Sequence, residues 1–410
     1  MDGGRPVTPS ISEAARETPD GVGLVMGERA WTYADLAAAA RRATGWLARH
    51  GILPGETRPV ALTGSPAPEA LALLHALFDL GVPVALVHPR LTAGERAEAA
   101  RRVGPVLRID DPAGLDLRAA AEAAPPTPPP DDDRPLAILF TSGTTGSPRG
   151  VVLSRRAFVA SARASARNLG WRDDDRWLLG LPVAHVGGLS IVTRCLLARR
   201  SVVVPEAIVR GERLDPAGLA REIEARRVTL LSLVPTQLEW LLGLDPEWRP
   251  PPALRAILLG GAGPRVRLLA AAADRGIPVL TTYGLTEACS QVTTQRLGTT
   301  NRGELGAGPP MDGAEVRIVD GVIQIRGPTL LSGYVHPGGR ISPLDAEGWL
   351  VTDDLGTIDG AGNLHVLGRR SERVVRQRRG AYSGLSTRIE RLAPRSPVIA
   401  ATVDPQPVAR

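Results

Sequence analysis

A loop rich in glycine and hydroxyl side chains is the feature of this sequence that most constrains the fold. It lies between two short apolar runs, residues 136–140 and 151–153, which have the length and composition of buried β-strands. Glycines permit unusual backbone angles, and hydroxyls with free amides can surround phosphate oxygens. The pattern therefore favours a phosphate-binding loop over the alternative, a flexible hairpin. The loop consists of Thr141, Ser142, Gly143, Thr144, Thr145, Gly146, Ser147, Pro148, Arg149 and Gly150.

The loop is not a P-loop, because the spacing G-x-x-x-x-G-K-[ST] and its lysine are absent. All 49 lysine-or-arginine positions of the 410-residue chain are arginine. Where other phosphate sites use a lysine, this protein must therefore use a guanidinium, which binds phosphate through two parallel hydrogen bonds. Arg149, at the end of the loop, is the predicted cation.

The first third of the chain alternates between helical and strand patterns. Apolar runs at residues 59–62 and 83–87 predict buried strands. Residues 31–36 lead into an Ala/Arg-rich helical pattern that ends at residue 49, and residues 71–80 have a second helical pattern. Such alternation is typical of an α/β fold with a parallel sheet, and it continues to about residue 295. The fold class predicted from the residues is therefore α/β.

Two changes in pattern divide the chain further. The proline-rich stretch near residues 124–135 predicts an exposed linker rather than a helix or a central strand. Residues 315–325 alternate with a period of two around Asp320-Gly321, which indicates a β-hairpin. We therefore expect a β-section over about residues 303–367 that completes a large domain, residues 1–367. Residues 368–410 are expected to form a hinge and a short appendix.

Composition excludes several classes of protein. The net charge of +6 comes from dispersed arginines, and 3% aromatic residues offer few platforms for stacking bases, which argues against nucleic-acid binding. Cys195 and Cys289 are too few for a disulfide framework or a zinc site, and we expect both to be buried. Residues 1–5 lack a signal-peptide core, and residues 71–87 are interrupted by polar residues and proline. These features predict a soluble, cytoplasmic protein.

Four later segments, together with the loop, resemble the ordered motifs of the adenylate-forming enzymes, which include acyl-CoA synthetases, adenylation domains and luciferases. Residues 260–263 resemble the family's adenine-flanking loop, and residues 282–287 resemble its Tyr-Gly-x-Thr-Glu motif. Residues 348–355 resemble its Thr-Gly-Asp motif, with Asp353 where glycine is usual, and residues 368–370 resemble the start of its hinge. The resemblance implies two α/β subdomains, a small β-section and a truncated C-terminal domain.

The resemblance also implies an ATP site that binds Mg²⁺. Thr144, Arg149 and Glu287 would be the catalytic residues, with Arg149 where the family usually has lysine and Glu287 as the Mg²⁺ ligand. Asp354 would accept hydrogen bonds from the ribose, and Arg369 would approach the ribose or a phosphate. The residues implied to bind ATP are Thr141, Ser142, Gly143, Thr144, Thr145, Gly146, Arg149, Gly261, Ala262, Thr282, Tyr283 (stacked on adenine), Gly284, Thr286, Asp354 and Arg369.

Residues 181–194, 228–238 and 284–291 most resemble the 2-succinylbenzoate–CoA ligases of menaquinone biosynthesis. This resemblance implies that ATP, a carboxylic acid and coenzyme A are the substrates, with an acyl-adenylate between them. One carboxylate of 2-succinylbenzoate reacts, and the other needs a cation or hydrogen-bond donors in the acyl pocket. His185 and Arg194 are the candidates for that role. The alternatives are that His185 is a gating or core residue and that Arg194 is a surface charge.

Two other functions stay open at this point. A ligase for a different aryl or fatty acid would carry the same motifs. An impaired, ATP-binding pseudoenzyme is the second alternative, because the family's C-terminal domain brings a lysine to the adenylate. Residues 371–410 are short and contain no lysine, and Ser371 lies where the hinge usually has aspartate. The partners we expect are small molecules and a second copy of the chain as a homo-oligomer, without nucleic acid or stable membrane insertion.

Overall fold

The computed structural model describes residues 8–124, 132–141, 148–212, 214–244, 247–336 and 338–371. Within these ranges the chain forms α-helices, one short 3₁₀ helix (Thr286–Ala288) and three β-sheets. The α-helices are α1 (Ile11–Glu17), α2 (Tyr33–Arg49), α3 (Pro68–Leu80), α4 (Ala93–Arg102), α5 (Arg155–Leu169), α6 (Val186–Ala198), α7 (Glu206–Val209), α8 (Pro216–Ala225), α9 (Pro235–Leu244) and α10 (Val266–Asp274).

The strands are distributed over the whole of the described chain. They are β1 (Val22–Met26), β2 (Arg29–Thr32), β3 (Val60–Thr63), β4 (Val84–Val87), β5 (Leu107–Ile109), β6 (Pro135–Thr141), β7 (Arg149–Ser154), β8 (Arg176–Leu178), β9 (Ser201–Val204), β10 (Leu230–Leu233), β11 (Ala256–Leu259), β12 (Val279–Leu285), β13 (Ser290–Thr294), β14 (Glu315–Val319), β15 (Val322–Arg326), β16 (Gly333–His336), β17 (Gly339–Ile341), β18 (Leu350–Ile358) and β19 (Leu364–Arg369).

Local sequence signals set the ends of the first long helices. Thr32 and Asp35 form a capping box at the start of α2, in which each side chain accepts a hydrogen bond from the other residue's backbone. Pro68 opens α3 at a position where its missing N–H costs nothing, and Gly81 ends the helix in the left-handed conformation. Both predicted helices are confirmed, although α3 begins three residues before the predicted Leu71.

A seven-stranded sheet contains the loop singled out in the sequence. Its strand order is β17-β16-β7-β6-β4-β3-β5. Strands β5, β3, β4 and β6 are parallel, whereas β7, β16 and β17 are joined by antiparallel pairings. Every residue of β3 and β4 is buried, as expected for a parallel sheet covered on both faces. The predicted α/β class is confirmed.

An eight-stranded sheet forms the second large layer, with the order β13-β12-β11-β10-β8-β9-β1-β2. Its pairings from β12 to β1 are parallel, and the two edge strands β13 and β2 are antiparallel to their neighbours. Parallel neighbours end at the same edge of a sheet, so the residues that follow them lie side by side. Ligand sites of open α/β sheets lie at such edges.

The small β-section is a four-stranded antiparallel sheet, with the order β14-β15-β18-β19. Its first hairpin turns at Asp320 and Gly321, whose φ angles of 50° and 77° are those of a two-residue hairpin turn. This sheet lies within the segment predicted as the β-section, about residues 303–367, apart from the last two residues of β19. Strands β16 and β17 lie in the same segment but belong to the seven-stranded sheet.

Three further predictions concern the apolar stretch at residues 71–87, the two cysteines, and the linker and appendix. Residues 71–87 lie in α3 and β4, and no helix of the described chain is both long and apolar enough to cross a membrane. Cys195 and Cys289 are free and buried, as predicted. Most of the predicted linker, residues 125–131, and most of the predicted appendix, residues 372–410, lie outside the described residues.

Candidate functional site

The predicted phosphate loop connects two antiparallel strands of the seven-stranded sheet. Thr141 is the last residue of β6, and Arg149 is the first residue of β7 and lies opposite it in the ladder. Arg149 is therefore a strand residue rather than part of the loop, and its side chain is exposed. Five predicted ATP-binding residues lie outside the described part of the chain, so their roles stay predictions. They are Ser142, Gly143, Thr144, Thr145 and Gly146.

Glu287 and Arg149 both lie beside the same tyrosine, Tyr334. Glu287 lies in the 3₁₀ helix that follows β12 and is half-buried. The hydroxyl of Tyr334 donates a hydrogen bond to its Oε1 over 3.0 Å, and the Arg149 guanidinium lies 5.7 Å from the centre of the Tyr334 ring. Burial and the Glu287 carboxylate raise the pKa of Tyr334, so the phenol keeps the proton that it donates. Tyr334 reaches this position because β16 pairs with β7.

The chemistry of Glu287 fits the predicted Mg²⁺. A carboxylate is a hard oxygen ligand, and its hydrogen bond to Tyr334 occupies a single oxygen. In the part of the chain that the structure describes, no cluster of three histidine, cysteine or acidic side chains could hold a metal unaided. Magnesium sites in nucleotide enzymes commonly combine one or two carboxylates with phosphates and water. Glu287 is suited to that kind of site.

Tyr283, Asp354 and Arg369 form a second cluster that joins two of the sequence motifs. The hydroxyl of Tyr283 donates a 2.7 Å hydrogen bond to Oδ2 of Asp354, and Nε of Arg369 lies 3.4 Å from Oδ1 of the same carboxylate. Asp354 and Arg369 are partners across the β18–β19 ladder. Burial, followed by the charge of Asp354, raises the pKa of Tyr283. The exposed guanidinium and half-buried carboxylate leave this cluster open to a polar ligand.

Close backbone contacts place the remaining motif residues around β12. Gly261 and Ala262 are exposed and follow β11, the parallel neighbour of β12. A Cβ atom at Gly284 would lie 1.8 Å from the carbonyl oxygen of Ser290, so only glycine fits there. The Thr282 hydroxyl donates a hydrogen bond to the backbone carbonyl of Thr293 on the paired strand β13, so this side chain already has a partner within the sheet. The carbonyl of Thr286 accepts a hydrogen bond at the end of the 3₁₀ helix.

His185 lies beside a second histidine, His88. It precedes α6 and is exposed, and its ring centroid is 4.9 Å from that of His88, which follows β4. Partial burial, with the nearby Arg90, lowers the pKa of His185. The pKa of His88 is lowered by burial, His185 and Arg90. His185 is therefore not a core residue, and contact with substrate or gating are the roles left for it.

Arg194 is buried in α6, with only 3% of its surface exposed. Its Nη2 donates a 3.3 Å hydrogen bond to Oγ of Ser161, and its guanidinium lies 5.6 Å from the ring centre of Trp177. Its Nε is buried without a hydrogen-bond partner, and no carboxylate of the described residues pairs with it. Burial lowers its pKa to about 10, so it keeps its charge at neutral pH. The alternative of a surface charge is wrong.

Several contacts in this site have no local sequence signal. Tyr334 is 47 residues from Glu287, and Ser161 is 33 residues from Arg194. His88 ends a strand that was predicted, but its contact with His185 depends on how the two large sheets pack. Only the pairing of distant strands and helices brings these side chains to the predicted residues.

Comparisons with known proteins agree with this arrangement. Residues 11–335 match the AMP-binding enzyme family. The 2-succinylbenzoate–CoA ligase of Bacillus pumilus is 33% identical over 390 residues, which cover 87% of this chain and 77% of that enzyme. The o-succinylbenzoate CoA synthetase of Bacillus subtilis in complex with the acyl-adenylate intermediate OSB-AMP is 30% identical, with a TM-score of 0.80 and coverage of 89% and 78%. Its complex with ATP and magnesium ion is 31% identical, with a TM-score of 0.79 and coverage of 88% and 79%.

Proposed function

This chain belongs to the AMP-binding enzyme family, and we propose on that premise that it activates 2-succinylbenzoate with ATP and transfers the acyl group to coenzyme A. The product would be 2-succinylbenzoyl-CoA, an intermediate of menaquinone biosynthesis. Family membership confirms the predicted resemblance and the adenylate-forming fold of the large domain. The substrates of an AMP-forming acid–CoA ligase are ATP, a carboxylic acid and CoA.

The proposed reaction has two steps. A carboxylate oxygen attacks the α-phosphorus of ATP, the bond from that phosphorus to the bridging oxygen breaks, and pyrophosphate leaves. The thiol of CoA then gives up its proton to solvent and attacks the acyl carbon, and AMP leaves with the electrons of the broken acyl–oxygen bond. The first step concentrates negative charge on the phosphates, which preorganised cations and donors stabilise.

Described residues that could stabilise the negative charge of the phosphates lie at two places. Arg149 lies where the phosphate loop returns to the sheet, and its guanidinium suits a phosphate oxygen. Asp354 would accept hydrogen bonds from the ribose hydroxyls, and Arg369 beside it would contact the ribose or a phosphate. Glu287 would hold Mg²⁺, whose charge neutralises the phosphates when it is bound. Thr144 is the further catalytic residue in this proposal.

The proposal that the substrate is a dicarboxylic acid rests on the environment of Arg194. A buried cation without a counterion is costly, because burial removes its hydration and no carboxylate of the described residues replaces it. Such a group is suited to an anionic ligand that supplies the missing charge. The second carboxylate of 2-succinylbenzoate has the right charge, and it is the group that a monocarboxylic relative lacks. His185 is a second, weaker candidate because it is exposed and its pKa is lowered.

Pyrophosphate release with ATP, Mg²⁺ and a panel of acids tests this proposal. We expect 2-succinylbenzoate to give a kcat/KM at least about tenfold above that of 4-oxo-4-phenylbutanoate, which lacks only the ring carboxylate, because a buried charge left unpaired discriminates strongly. Equal values for the two acids, or a preference for a fatty acid, would favour a different acid–CoA ligase. ATP binding without pyrophosphate release from any acid would favour the pseudoenzyme.

Other parts of the proposal concern the setting of the enzyme. We propose that the chain acts in the cytoplasm, since its buried thiols are free, and that its partners are small molecules rather than nucleic acid. A homo-oligomer is proposed as the assembled form. Light scattering of the purified protein and the salt dependence of any nucleic-acid binding test these two points.

A further inference from the structure

Ser161 connects the buried arginine to the turn that follows Glu287. Ser161 lies in α5 and is itself buried. Its Oγ accepts the hydrogen bond from Nη2 of Arg194 over 3.3 Å and donates one to the carbonyl oxygen of Cys289 over 2.9 Å. A single hydroxyl therefore joins α6, which carries Arg194, to the backbone two residues beyond Glu287.

The turn after Glu287 has an unusual backbone. Cys289 and Ser290 have φ angles of 51° and 94°, in the left-handed region that residues other than glycine rarely adopt. The carbonyl of Ser290 also lies against Gly284, where a Cβ atom would be 1.8 Å away. A backbone held in this way persists only where its surroundings fix it. The hydrogen bond from Ser161 to Cys289 is one of the contacts that fix it.

The direction of the two hydrogen bonds makes them reinforce each other. A cation that donates to a hydroxyl oxygen polarises the hydroxyl and strengthens the bond that it donates in turn. Among the described residues Arg194 has one hydrogen-bond partner, Ser161, and its Nε has none, so the guanidinium is incompletely held. An anion bound to the free donors would fix the guanidinium, and the fixed guanidinium would fix the hydroxyl of Ser161 and the carbonyl of Cys289.

We propose that Ser161 is a positioning residue that couples acid binding at Arg194 to Mg·ATP binding at Glu287. The inference rests on the proposed function, since it takes Arg194 as the acyl-site cation and Glu287 as the metal ligand. An acid bound at Arg194 orders the turn, so Mg·ATP meets a Glu287 that is already positioned and binds more tightly. Coupling of this kind is reciprocal, so Mg·ATP must raise the affinity for the acid by the same factor.

A matched control lies one helical turn away in α5. Ser165 is as buried as Ser161, but its Oγ has no hydrogen-bond partner in the described part of the chain. Ser161→Ala and Ser165→Ala therefore remove the same atom from neighbouring buried positions of one helix. Ser161→Ala alone breaks the connection between Arg194 and Cys289. Any effect of packing or helix propensity should be shared by the two variants.

Calorimetry with a non-cleavable ATP analogue, α,β-methylene ATP, measures the coupling without turnover. The affinity of 2-succinylbenzoate is measured with and without Mg²⁺ and the analogue, for the full chain and both variants. We expect coupling of about fivefold or more in the native chain and in Ser165→Ala, falling below about twofold in Ser161→Ala. The affinity of 4-oxo-4-phenylbutanoate should show little coupling in any of them, because it leaves Arg194 unoccupied.

The outcomes separate the two levels of the proposal. If the native chain shows coupling and Ser161→Ala retains it, or if both variants lose it equally, the positioning role of Ser161 is overturned while the function stands. If the native chain binds the analogue but not 2-succinylbenzoate, the proposed substrate fails and the inference fails with it. Melting temperatures of both variants within a few degrees of each other show that the comparison is between folded proteins.

Discussion

Two polar clusters along helix α5 each contain an arginine, and the partners of the two guanidiniums differ. Just beyond the end of the helix, Arg255 pairs with Asp175, with Nε–Oδ1 and Nη2–Oδ2 distances of 2.9 and 2.5 Å. The same guanidinium donates to the carbonyls of Leu169 and Gly170. Near the middle of the helix, Arg194 of α6 makes a single hydrogen bond to the described residues, and its partner is Ser161. Both side chains are largely withdrawn from water, but of the two only Arg255 has a carboxylate partner among the described residues.

The difference separates a structural site from a site suited to a ligand. Asp175 is equally well satisfied, since the Thr229 hydroxyl and the backbone N–H of Arg172 also donate to it. Such a network stabilises the fold, and four of the five N–H groups of Arg255 already donate within it. The cluster of Arg194 keeps unused donors, which costs stability and is expected where a ligand completes the network. The predictions below test this contrast.

The largest expected effect is on stability, from Arg255→Met. The substitution would leave the fully buried Asp175 carboxylate without its cation. Removing one partner of a buried pair typically lowers the free energy of unfolding by about 3–5 kcal/mol. Urea denaturation measures the loss, and Arg163→Met, at an exposed position of α5, is the control. A loss below about 1 kcal/mol would mean that the Arg255 network is not the stabilising cluster that it is taken to be.

Glu287→Gln should affect ligand binding and rate rather than folding. The amide keeps the shape and the hydrogen bond from Tyr334 but removes the charge that a Mg²⁺ ligand needs. We expect a loss of about 10²-fold in the rate of pyrophosphate release, with unfolding changed by less than about 0.5 kcal/mol. Unchanged Mg·ATP affinity and turnover would remove Glu287 from the metal site and weaken the contrast between the clusters.

Acid should reduce the difference between Arg255→Met and the native chain. Burial raises the pKa of Asp175, but hydrogen bonds from Arg255, Arg172 and Thr229 outweigh it and hold the pKa below 3.8. The stabilisation of the folded native chain by the Arg255–Asp175 pair is therefore present above about pH 4, and it is lost as the pH falls through the lower pKa of Asp175 in the folded state. In the variant, burial dominates and raises that pKa, so protonation relieves the unpaired charge. Each pH unit by which the pKa of Asp175 in the folded variant exceeds that in the folded native chain corresponds to about 1.4 kcal/mol of unfolding free energy. Urea denaturation should therefore show a smaller difference in unfolding free energy between the two proteins at pH 4.5 than at pH 7.

The smallest effect is expected from Tyr334→Phe. The change removes one hydrogen bond to Glu287 and leaves the ring beside Arg149. We expect the affinity for Mg·ATP to fall by about three- to tenfold, since the bond is to a charged group but Glu287 itself remains. Calorimetry measures this change. A loss as large as that of Glu287→Gln would place Tyr334 in direct contact with the nucleotide instead.

The sequence predicts what depends on neighbouring residues and misses what depends on distant pairing. The capping box of α2 and the Asp320-Gly321 hairpin are local signals, and both elements form as predicted. β16 is only four residues long, and no local signal in its sequence indicates that it pairs with β7 instead of β15. That long-range pairing is also what brings Tyr334 to Glu287.

The candidate site shows the same limit. Glu287, Asp354 and Arg369 follow from motif resemblance, and the structure brings Asp354 and Arg369 together through the β18–β19 ladder. The burial of Arg194 does not follow from its position in the sequence, because a charged residue in an apolar helix can face solvent or the core. The contact through Ser161 comes from the packing of α5 against α6 and β13, which no spacing encodes.

The most direct test of the central contrast replaces Arg194 and Arg255, one at a time, with methionine and measures two quantities for each variant. These are the free energy of unfolding and the ratio of KM values for 2-succinylbenzoate and 4-oxo-4-phenylbutanoate. Arg194→Met should raise KM for the dicarboxylic acid by about 10- to 100-fold and leave that of the other acid within about threefold, at equal or greater stability. Arg255→Met should lower stability and leave the KM ratio unchanged. Equal effects of Arg194→Met on both acids, or a stability loss matching that of Arg255→Met, would contradict the account.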